Sequence, residues 1–221
     1  MLSIFCAPSR YVQGRNATSQ LGPEMKKLGL QGISAEALAL LCYETLLNDG
    51  VAALHAVQQQ VVTPALERLV EANTLLSGLG FESGGLAVAH SVHNGLTTLP
   101  ETHNYYHGEK VAFGLIVQLV LEGKSTETIN EVLAFSESVG LPICLQDLGL
   151  YPLSKEACQQ VAVRATAPGE TAHNEPFTVS ADAVYDAIFA ADAIGSAFKA
   201  CVSSAPRERG TAALPGSDCL F

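Results

Sequence analysis

Four of the six histidines of this chain lie within residues 81–122, and their spacing is suited to binding a metal. His90 and His93 are one helical turn apart in an apolar stretch, and His107 comes directly before a second apolar stretch. Imidazole is a common ligand for zinc and iron, and two helices can hold two imidazoles so that they converge on one ion. The pattern therefore indicates a metal site between two helices.

The position of His107 favours the neutral imidazole that a metal requires. It opens the second stretch, where free backbone N–H groups and the positive end of the helix dipole disfavour a protonated ring. His103, in the loop before it, is expected to be solvated, and the two histidines outside this region are expected to be structural or exposed. Because neither an HExxH nor an HD pair is present, spacing alone leaves open that His90 and His93 are hydrogen-bonded core residues.

A metal held by His90 and His107 would need at least one more ligand, commonly a carboxylate, and an open position for a substrate oxygen. Such a metal lowers the pKa of a bound alcohol, which prepares the loss of a proton and then of a hydride. The hydride needs an acceptor such as a nicotinamide cofactor. However, the sequence has no GxGxxG turn and no strand–helix–strand alternation. A metal-dependent hydrolase using His90, His93 and His107 is a remote alternative, because no aspartates lie nearby.

Hydrophobic periodicity indicates the elements that must position these histidines. It predicts an all-α bundle of about eight helices, preceded by a short extended segment. Caps and breakers mark the ends, such as Thr63 with Pro64, Asp49 with Gly50, and Gly140. The predicted helices cover residues 34–49, 51–62, 64–76, 82–98, 108–122, 125–139, 154–166 and 180–202.

Three regions follow from this pattern. Residues 1–31 are predicted to be the remnant of an N-terminal α/β domain, with short extended pieces over 4–14 and a weak helix over 18–28. Residues 32–202 are predicted to form a helical metal-binding domain, and residues 203–221 are predicted to be a disordered tail. The six cysteines show no CxxC spacing and are expected to be buried reduced thiols rather than metal ligands.

Composition excludes some classes of partner. The formal net charge is −10, with 12 basic against 22 acidic residues and no long basic run, so nucleic acid is not an expected partner. No uninterrupted apolar run reaches the roughly 18 residues of a membrane span, and the N-terminus lacks the basic start of a signal peptide. We therefore expect a cytoplasmic protein with no membrane contact.

Three segments carry a resemblance to a known family. They read FESGGLAVAHSVHNG, HNYYHGEKVAFG and VVTPALERLVEANTLLSG. They closely resemble the C-terminal helical domain of bacterial glycerol dehydrogenases, a dehydroquinate synthase-like fold of the iron-containing alcohol dehydrogenase superfamily. The resemblance runs from about residue 33 to about residue 202, and the early segment APSRYVQG is similar to that family's N-terminal strand region.

The resemblance implies particular roles. By analogy His90 and His107 are metal ligands, and Phe81 and His90 lie at the substrate pocket. Family members use zinc, with iron as the other metal of the superfamily, and NAD, and they oxidise the small polyol glycerol to dihydroxyacetone.

The sequence also departs from the family. Family members carry a complete dinucleotide-binding domain, followed by an aspartate that is the third metal ligand, between the APSRYVQG-like segment and the first helix. Here residues 28–32 run straight into Ile33, so a segment of roughly 100–150 residues is missing. No catalytic or cofactor-binding residue can be assigned, and whether the chain is an enzyme by itself stays open.

Two hypotheses follow from this departure. The first is a truncated glycerol dehydrogenase homologue that is inactive alone and binds zinc weakly, unless Glu82 or Glu109 replaces the missing carboxylate. The second is a non-catalytic interaction module that self-associates or pairs with full-length homologous subunits, because apolar faces that met the missing domain would be uncovered.

Overall fold

The computed structural model describes residues 32–204, which form eight α-helices and contain no strand. The helices are α1 (Gly32–Gln58), α2 (Pro64–Glu71), α3 (Ser77–Gly84), α4 (Val88–Leu96), α5 (His107–Leu121), α6 (Thr126–Ser138), α7 (Lys155–Ala165) and α8 (Ala181–Ser204). A π-helical segment, Ala72–Leu76, joins α2 to α3, and short 3₁₀ helices cover Pro100–Thr102, Leu145–Leu148 and Thr171–Asn174. The predicted helical bundle is confirmed, whereas the predicted extended segment, 1–31, lies outside the described residues.

The chain divides into two compact units, one extending to Gly85 and the other beginning at Leu86. The first contains α1 to α3 and the second contains α4 to α8. The predicted three-part division at residues 31 and 202 stays a prediction, because the segments beyond 32–204 are outside the described residues.

In the first unit, α1 packs against α2 and α3 through small side chains. Ala53, Ala56 and Ala72 are buried there. A bidentate ion pair also joins α2 to α1, because Arg68 donates from Nε and Nη2 to the carboxylate of Asp49 at 2.7 and 2.6 Å. By contrast, many apolar side chains of this unit are exposed, namely Leu40, Leu41, Val51, Val57, Val61, Val62, Val70 and Phe81.

The predicted helix stop at Asp49 and Gly50 is wrong, because α1 continues through both residues to Gln58. The Asp49 carboxylate forms an ion pair with Arg68 of α2, and Gly50 is buried. A glycine inside a helix costs only about 1 kcal/mol relative to alanine, which packing against a neighbouring helix readily offsets. The tertiary contact therefore overrides the local stop signal.

The predicted single helix over residues 82–98 is also wrong, because the structure has two helices there. Gly85 has φ +82°, a conformation that side-chain-bearing residues rarely adopt, and it ends α3. The next helix, α4, begins at Val88. The Gly84–Gly85 pair thus separates two elements, and it lies where the two compact units meet along the chain.

Most of the other helix ends are those that the local signals predict. Thr63 caps α2 by accepting from the backbone N–H of Leu66, with Pro64 as the first helical residue. The hydroxyls of Ser125, Ser154 and Ser180 likewise cap α6, α7 and α8. The predicted terminator Gly140 has a positive φ, as does Gly123 after the end of α5.

The core of the second unit is built around α4 and α5. Helix α4 packs against α5 and α7, and both α5 and α7 pack against α8. The largest fully buried side chains include Leu96, Phe113, Ile116, Leu133, Ile143 and Ile188. Gly95 permits the contact between α4 and α7, since a Cβ there would meet the carbonyl oxygen of Val161 at 2.5 Å.

Two helices are long and apolar enough to meet a composition test for a membrane span, α1 from Glu36 onward and α8. Core helices of globular proteins pass the same test. Helix α8 contributes Val184, Ala187 and Ile188 to the core of the second unit. Length and composition alone therefore give no argument for a membrane partner.

The cysteines of the described residues fall into two groups. Cys42, Cys144 and Cys158 are buried free thiols, as expected. Burial, together with the charge of Asp186, raises the pKa of Cys158 to about 12, so this thiol is unreactive. Cys201 is disulfide-bonded, so the expectation of reduced thiols is wrong for that residue.

Candidate metal centre

The three histidines of interest lie on two packed helices of the second unit. His90 and His93 are one turn apart on α4, and His107 is the first residue of α5. The ring centroids of His90 and His107 are 5.4 Å apart, and those of His93 and His107 are 4.2 Å apart. The structure therefore brings together the two residues predicted as metal ligands, with His93 beside them.

Close contact between α4 and α5 sets this spacing. A Cβ at Gly114 of α5 would lie within 3.0 Å of the Ala89 carbonyl oxygen, so only glycine fits at this position. Gln118, one turn further along α5, accepts a hydrogen bond of 2.9 Å from the backbone N–H of Ala89. This bond satisfies one of the N–H groups that the start of α4 leaves without a helical partner. Both contacts involve the backbone of the residue next to His90 and thereby fix this part of α4 relative to α5.

The other side of α4 is held by a hydroxyl network. Ser91 is completely buried and accepts a 2.7 Å hydrogen bond from the backbone N–H of Ala172. Thr171 donates to the carbonyl oxygen of Ala87 at 2.8 Å, and its hydroxyl lies 3.0 Å from that of Ser91. These bonds join the start of α4 to the 3₁₀ helix at 171–174 and hold α4 in place against it.

A buried lysine holds the loop that leads into α5. The ammonium of Lys110, whose residue is only 6% exposed, donates to the carbonyl oxygens of Thr102 and Tyr105 at 3.1 and 2.9 Å. The Glu109 carboxylate accepts from the backbone N–H of Tyr106, as at many helix starts. Together these bonds fix the first turn of α5.

The environment keeps His90 and His93 neutral near physiological pH. Burial lowers the pKa of His90, and the neighbouring rings of His107 and His93 lower it further. Burial also lowers the pKa of His93, helped by His107 and Lys110 and opposed by the hydrogen bond to Asn94. Because only a neutral imidazole offers a lone pair, these shifts favour metal binding.

A hydrogen-bonded series of side chains extends from His107 to the surface. Nδ1 of His107 lies 3.0 Å from Nε2 of His93, and Nδ1 of His93 lies 3.0 Å from Oδ1 of Asn94. The Asn94 amide donates to Glu170 at 2.9 Å, and Glu170 pairs with Arg164. Sequence analysis left His93 as either a core residue or a ligand of the hydrolase alternative, and it assigned no role to Asn94 or Glu170. No sequence signal joins these two residues, which are 76 positions apart.

The ionised form of Glu170 is favoured by its partners. Burial alone would raise its pKa, but the hydrogen bond from Asn94 and the guanidinium of Arg164 outweigh that effect and lower the pKa below its ordinary value. Glu170 is therefore a carboxylate that only accepts hydrogen bonds at neutral pH.

The donors available to a metal fit zinc in type but fall short in number. Imidazole nitrogens suit zinc and iron, and zinc sites normally use three or four protein ligands. Within residues 32–204, no group of three histidine, cysteine or acidic side chains is arranged to hold a metal. Glu109, considered as a replacement carboxylate, is already bonded to the Tyr106 N–H. His90 and His107 thus form a partial donor set.

Phe81, predicted to lie at the substrate pocket, belongs to α3 of the first unit. Its side chain is 46% exposed and lines a cavity of about 650 Å³ together with Cys42 and Leu76. Because His90 is in the second unit, a shared substrate site for Phe81 and His90 stays a prediction.

The remaining histidines lie apart from this centre. His103 is exposed and bonds to the Thr97 carbonyl oxygen at 3.1 Å. His55 is exposed near Gln58, and His173 is exposed near the end of α7. These positions agree with the structural or solvated roles expected for them.

The sequence is similar to several curated glycerol dehydrogenases. It is 56% identical over 161 residues to that of Pseudomonas putida, a match covering 73% of this chain and 44% of the relative. It is 50% identical over 190 residues to that of Thermotoga maritima, covering 86% of this chain and 52% of the relative. The chain thus spans about half the length of the curated relatives that it matches.

The fold is similar as well. The crystal structure of glycerol dehydrogenase from Schizosaccharomyces pombe matches with a TM-score of 0.76 and 37% identity, over 84% of this chain and 46% of that one. No protein-family model matches the sequence. The comparisons of sequence and of fold therefore both identify glycerol dehydrogenases as similar proteins.

Proposed function

Because the chain belongs to the glycerol dehydrogenase family, as the homologues and the fold show, we propose that it is the helical, metal-binding part of a glycerol dehydrogenase-like oxidoreductase. The observation that carries the proposal is the pair His90 and His107, whose rings lie 5.4 Å apart on two helices held together by Gly114. Zinc is the metal that we assign to this pair, with iron as the alternative.

A bound divalent metal would supply Lewis-acid activation of an alcohol group. The residues of the chain would contribute in simpler ways. His90 and His107 would hold the ion, and burial of His90 and His93 keeps these rings unprotonated for that purpose. Glycerol or a similar small polyol is the proposed substrate of the complete site.

We assign no hydride transfer to this chain alone. Residues 32–204 form no sheet, whereas dinucleotide-binding domains are built on a parallel sheet. The same residues offer no third metal donor. NAD would therefore have to be bound outside residues 32–204, and we propose that the chain is truncated and inactive by itself. The cytoplasmic location expected from the sequence remains part of this proposal.

The test combines zinc binding with turnover. The purified chain is titrated with zinc by calorimetry and is then assayed for NADH formation with glycerol, NAD and saturating zinc. We expect weak zinc binding and no NADH. Robust NADH formation would contradict the inactive, truncated chain, and complete absence of zinc binding would contradict the metal-binding role. Tight stoichiometric zinc would show that another residue supplies the missing ligand.

A second candidate function is favoured by the exposed apolar side chains of the first unit. Among the described residues they include Leu40, Leu41 and Val57 of α1, each at least half exposed, and Val62, which is 77% exposed. Contiguous exposed apolar surface marks interaction sites in globular proteins. The chain would then act as an interaction module that pairs with itself or with full-length homologous subunits.

Size-exclusion chromatography with light scattering separates the two candidates. A self-associating chain, or one that co-elutes with a full-length homologue, favours the interaction module. A Leu41→Glu variant should then shift the chain towards the monomer, whereas Glu44→Gln on the same helix should not. A chain that elutes as a monomer and does not co-elute with the full-length homologue would rule out this second function.

A further inference from the structure

We infer that Asn94 and Glu170, acting through His93, are positioning residues that hold His107 in the tautomer with its proton on Nδ1 and its lone pair on Nε2. Neither residue lies among the predicted ligands. The inference rests on the proposed function for what Nε2 then binds, but the tautomer itself follows from the hydrogen bonds alone.

The first step is the direction of the Asn94 side-chain amide. Glu170 is bonded by Arg164 and lies 2.9 Å from Nδ2 of Asn94. A carboxylate has only acceptor sites, so the NH₂ group of the amide must face it. The opposite orientation would put the amide oxygen against the carboxylate, where two acceptors would repel each other. Glu170 thereby turns the amide oxygen towards His93.

The second step sets the proton of His93. Its Nδ1 lies 3.0 Å from the Asn94 amide oxygen, which can only accept, so Nδ1 carries the hydrogen. In a neutral imidazole the other nitrogen is then an acceptor. Nε2 of His93 therefore offers a lone pair.

The third step sets the tautomer of His107. Its Nδ1 lies 3.0 Å from Nε2 of His93, and since that atom accepts, the Nδ1 of His107 must donate. The lone pair of neutral His107 is then on Nε2. Ligating histidines usually donate their other ring N–H to a fixed acceptor in this way, which fixes both the tautomer and the ring orientation. Here the acceptor is another histidine, whose own tautomer is set by an amide and a carboxylate.

The experiment reads ring protonation directly, without turnover. The complete chain is labelled with ¹⁵N, freed of metal with a chelator and studied at mildly alkaline pH by long-range ¹H–¹⁵N NMR, which identifies the protonated nitrogen of each histidine. We expect His93 and His107 both to carry the proton on Nδ1. A proton on Nε2 of His107 would overturn the inference.

Variants then test each step. Asn94→Leu removes the acceptor for His93 and should convert His107 to a mixture of tautomers. Glu170→Gln frees the amide to turn and should also produce a mixture. His103→Gln, outside the series, is the matched control and should change nothing. An unchanged His107 in both Asn94→Leu and Glu170→Gln would overturn the inference, and circular dichroism confirms that each variant folds.

Zinc titration of the same variants separates this inference from the proposed function. Asn94→Leu should weaken zinc binding by roughly 10–100-fold, as loss of an outer-shell partner typically does. If the tautomers are as inferred but the unmodified chain binds no zinc, the proposed function fails and the positioning role stands. If zinc binds but His107 carries its proton on Nε2, the positioning role fails.

Discussion

The rings of His90 and His107 lie 5.4 Å apart between centroids, although they belong to different helices and no hydrogen bond joins them. The two rings are within the separation at which aromatic side chains contact each other. The close approach of the backbones of α4 and α5 at Gly114 and Ala89 makes this contact possible. The two imidazoles are thus held near each other before any metal arrives, which reduces the cost of binding one.

The first prediction concerns zinc affinity. His90→Ala and His107→Ala should each weaken zinc binding by more than roughly 10–100-fold, the loss that follows removal of an outer-shell partner, because each variant removes a ligand itself. Calorimetric titration measures the effect. His103→Ala, exposed and away from the centre, is the control. Equal zinc affinity in all three variants would mean that the metal is bound elsewhere.

The second prediction concerns the contact of α4 with α5. Gly114→Ala should destabilise the fold by about 1–3 kcal/mol, because its Cβ would overlap the Ala89 carbonyl oxygen and push the helices apart. Gly108→Ala, where a Cβ meets nothing within 4 Å, should be neutral or slightly stabilising. Urea unfolding monitored by circular dichroism provides the comparison. Similar losses for both variants would contradict the role of the close contact.

The third prediction concerns the buried Lys110. Lys110→Met should lower the free energy of unfolding by about 1–3 kcal/mol, because the carbonyl oxygens of Thr102 and Tyr105 would lose their donor. Lys124→Met, at an exposed ion pair with Glu122, should change stability by less than about 1 kcal/mol. Chemical denaturation of both variants tests this. A larger loss for the exposed lysine would contradict the structural role of Lys110.

The fourth prediction concerns pH. The pKa values of His90 and His93 are lowered in the folded chain from the ordinary value of 6.5. Between 6.5 and the lowered values the unfolded chain binds more protons, so the free energy of unfolding increases with pH in this window. The metal-free chain should therefore lose stability as pH falls through 6.5, and less so in a His93→Gln variant. Greater stability on acidification over the same range would contradict the shifts.

Carboxylates make a separate contribution to the pH dependence of stability, at lower pH than the histidines. The folded pKa values of Asp147 and Glu170 are lowered. Their contribution is therefore present above the unfolded values and is lost as pH falls below about 4.5. Because this window begins near 4.5 and that of the histidines begins at 6.5, denaturation curves collected at several pH values can distinguish the two contributions.

Much of the fold could be predicted because its signals are local. Thr63 with Pro64 and the terminator Gly140 act within a turn of their own helix, and each has the predicted role. The helix end predicted at Asp49 and Gly50 is wrong, because Arg68 on another helix pairs with the Asp49 carboxylate and the helix continues. Local patterns thus fail where a distant residue satisfies the polar group.

The candidate site shows the same limit. The resemblance identified His90 and His107, and the structure places their rings together. The part played by His93 depends on Asn94 and Glu170, and the second of these reaches the site only through the fold. Hydrogen-bond direction is not encoded in residue spacing, so no reading of a single sequence could have supplied it.

The close contact at Gly114 has an evolutionary consequence. Because only a hydrogen atom fits between residue 114 and the Ala89 carbonyl oxygen, a mutation at that position that pushes the two helices apart, and with them the two imidazoles, also destabilises the bundle. Selection for a folded chain therefore also maintains the histidine spacing, even in a lineage where catalysis is no longer selected. A descendant that lost its activity long ago would still inherit the geometry.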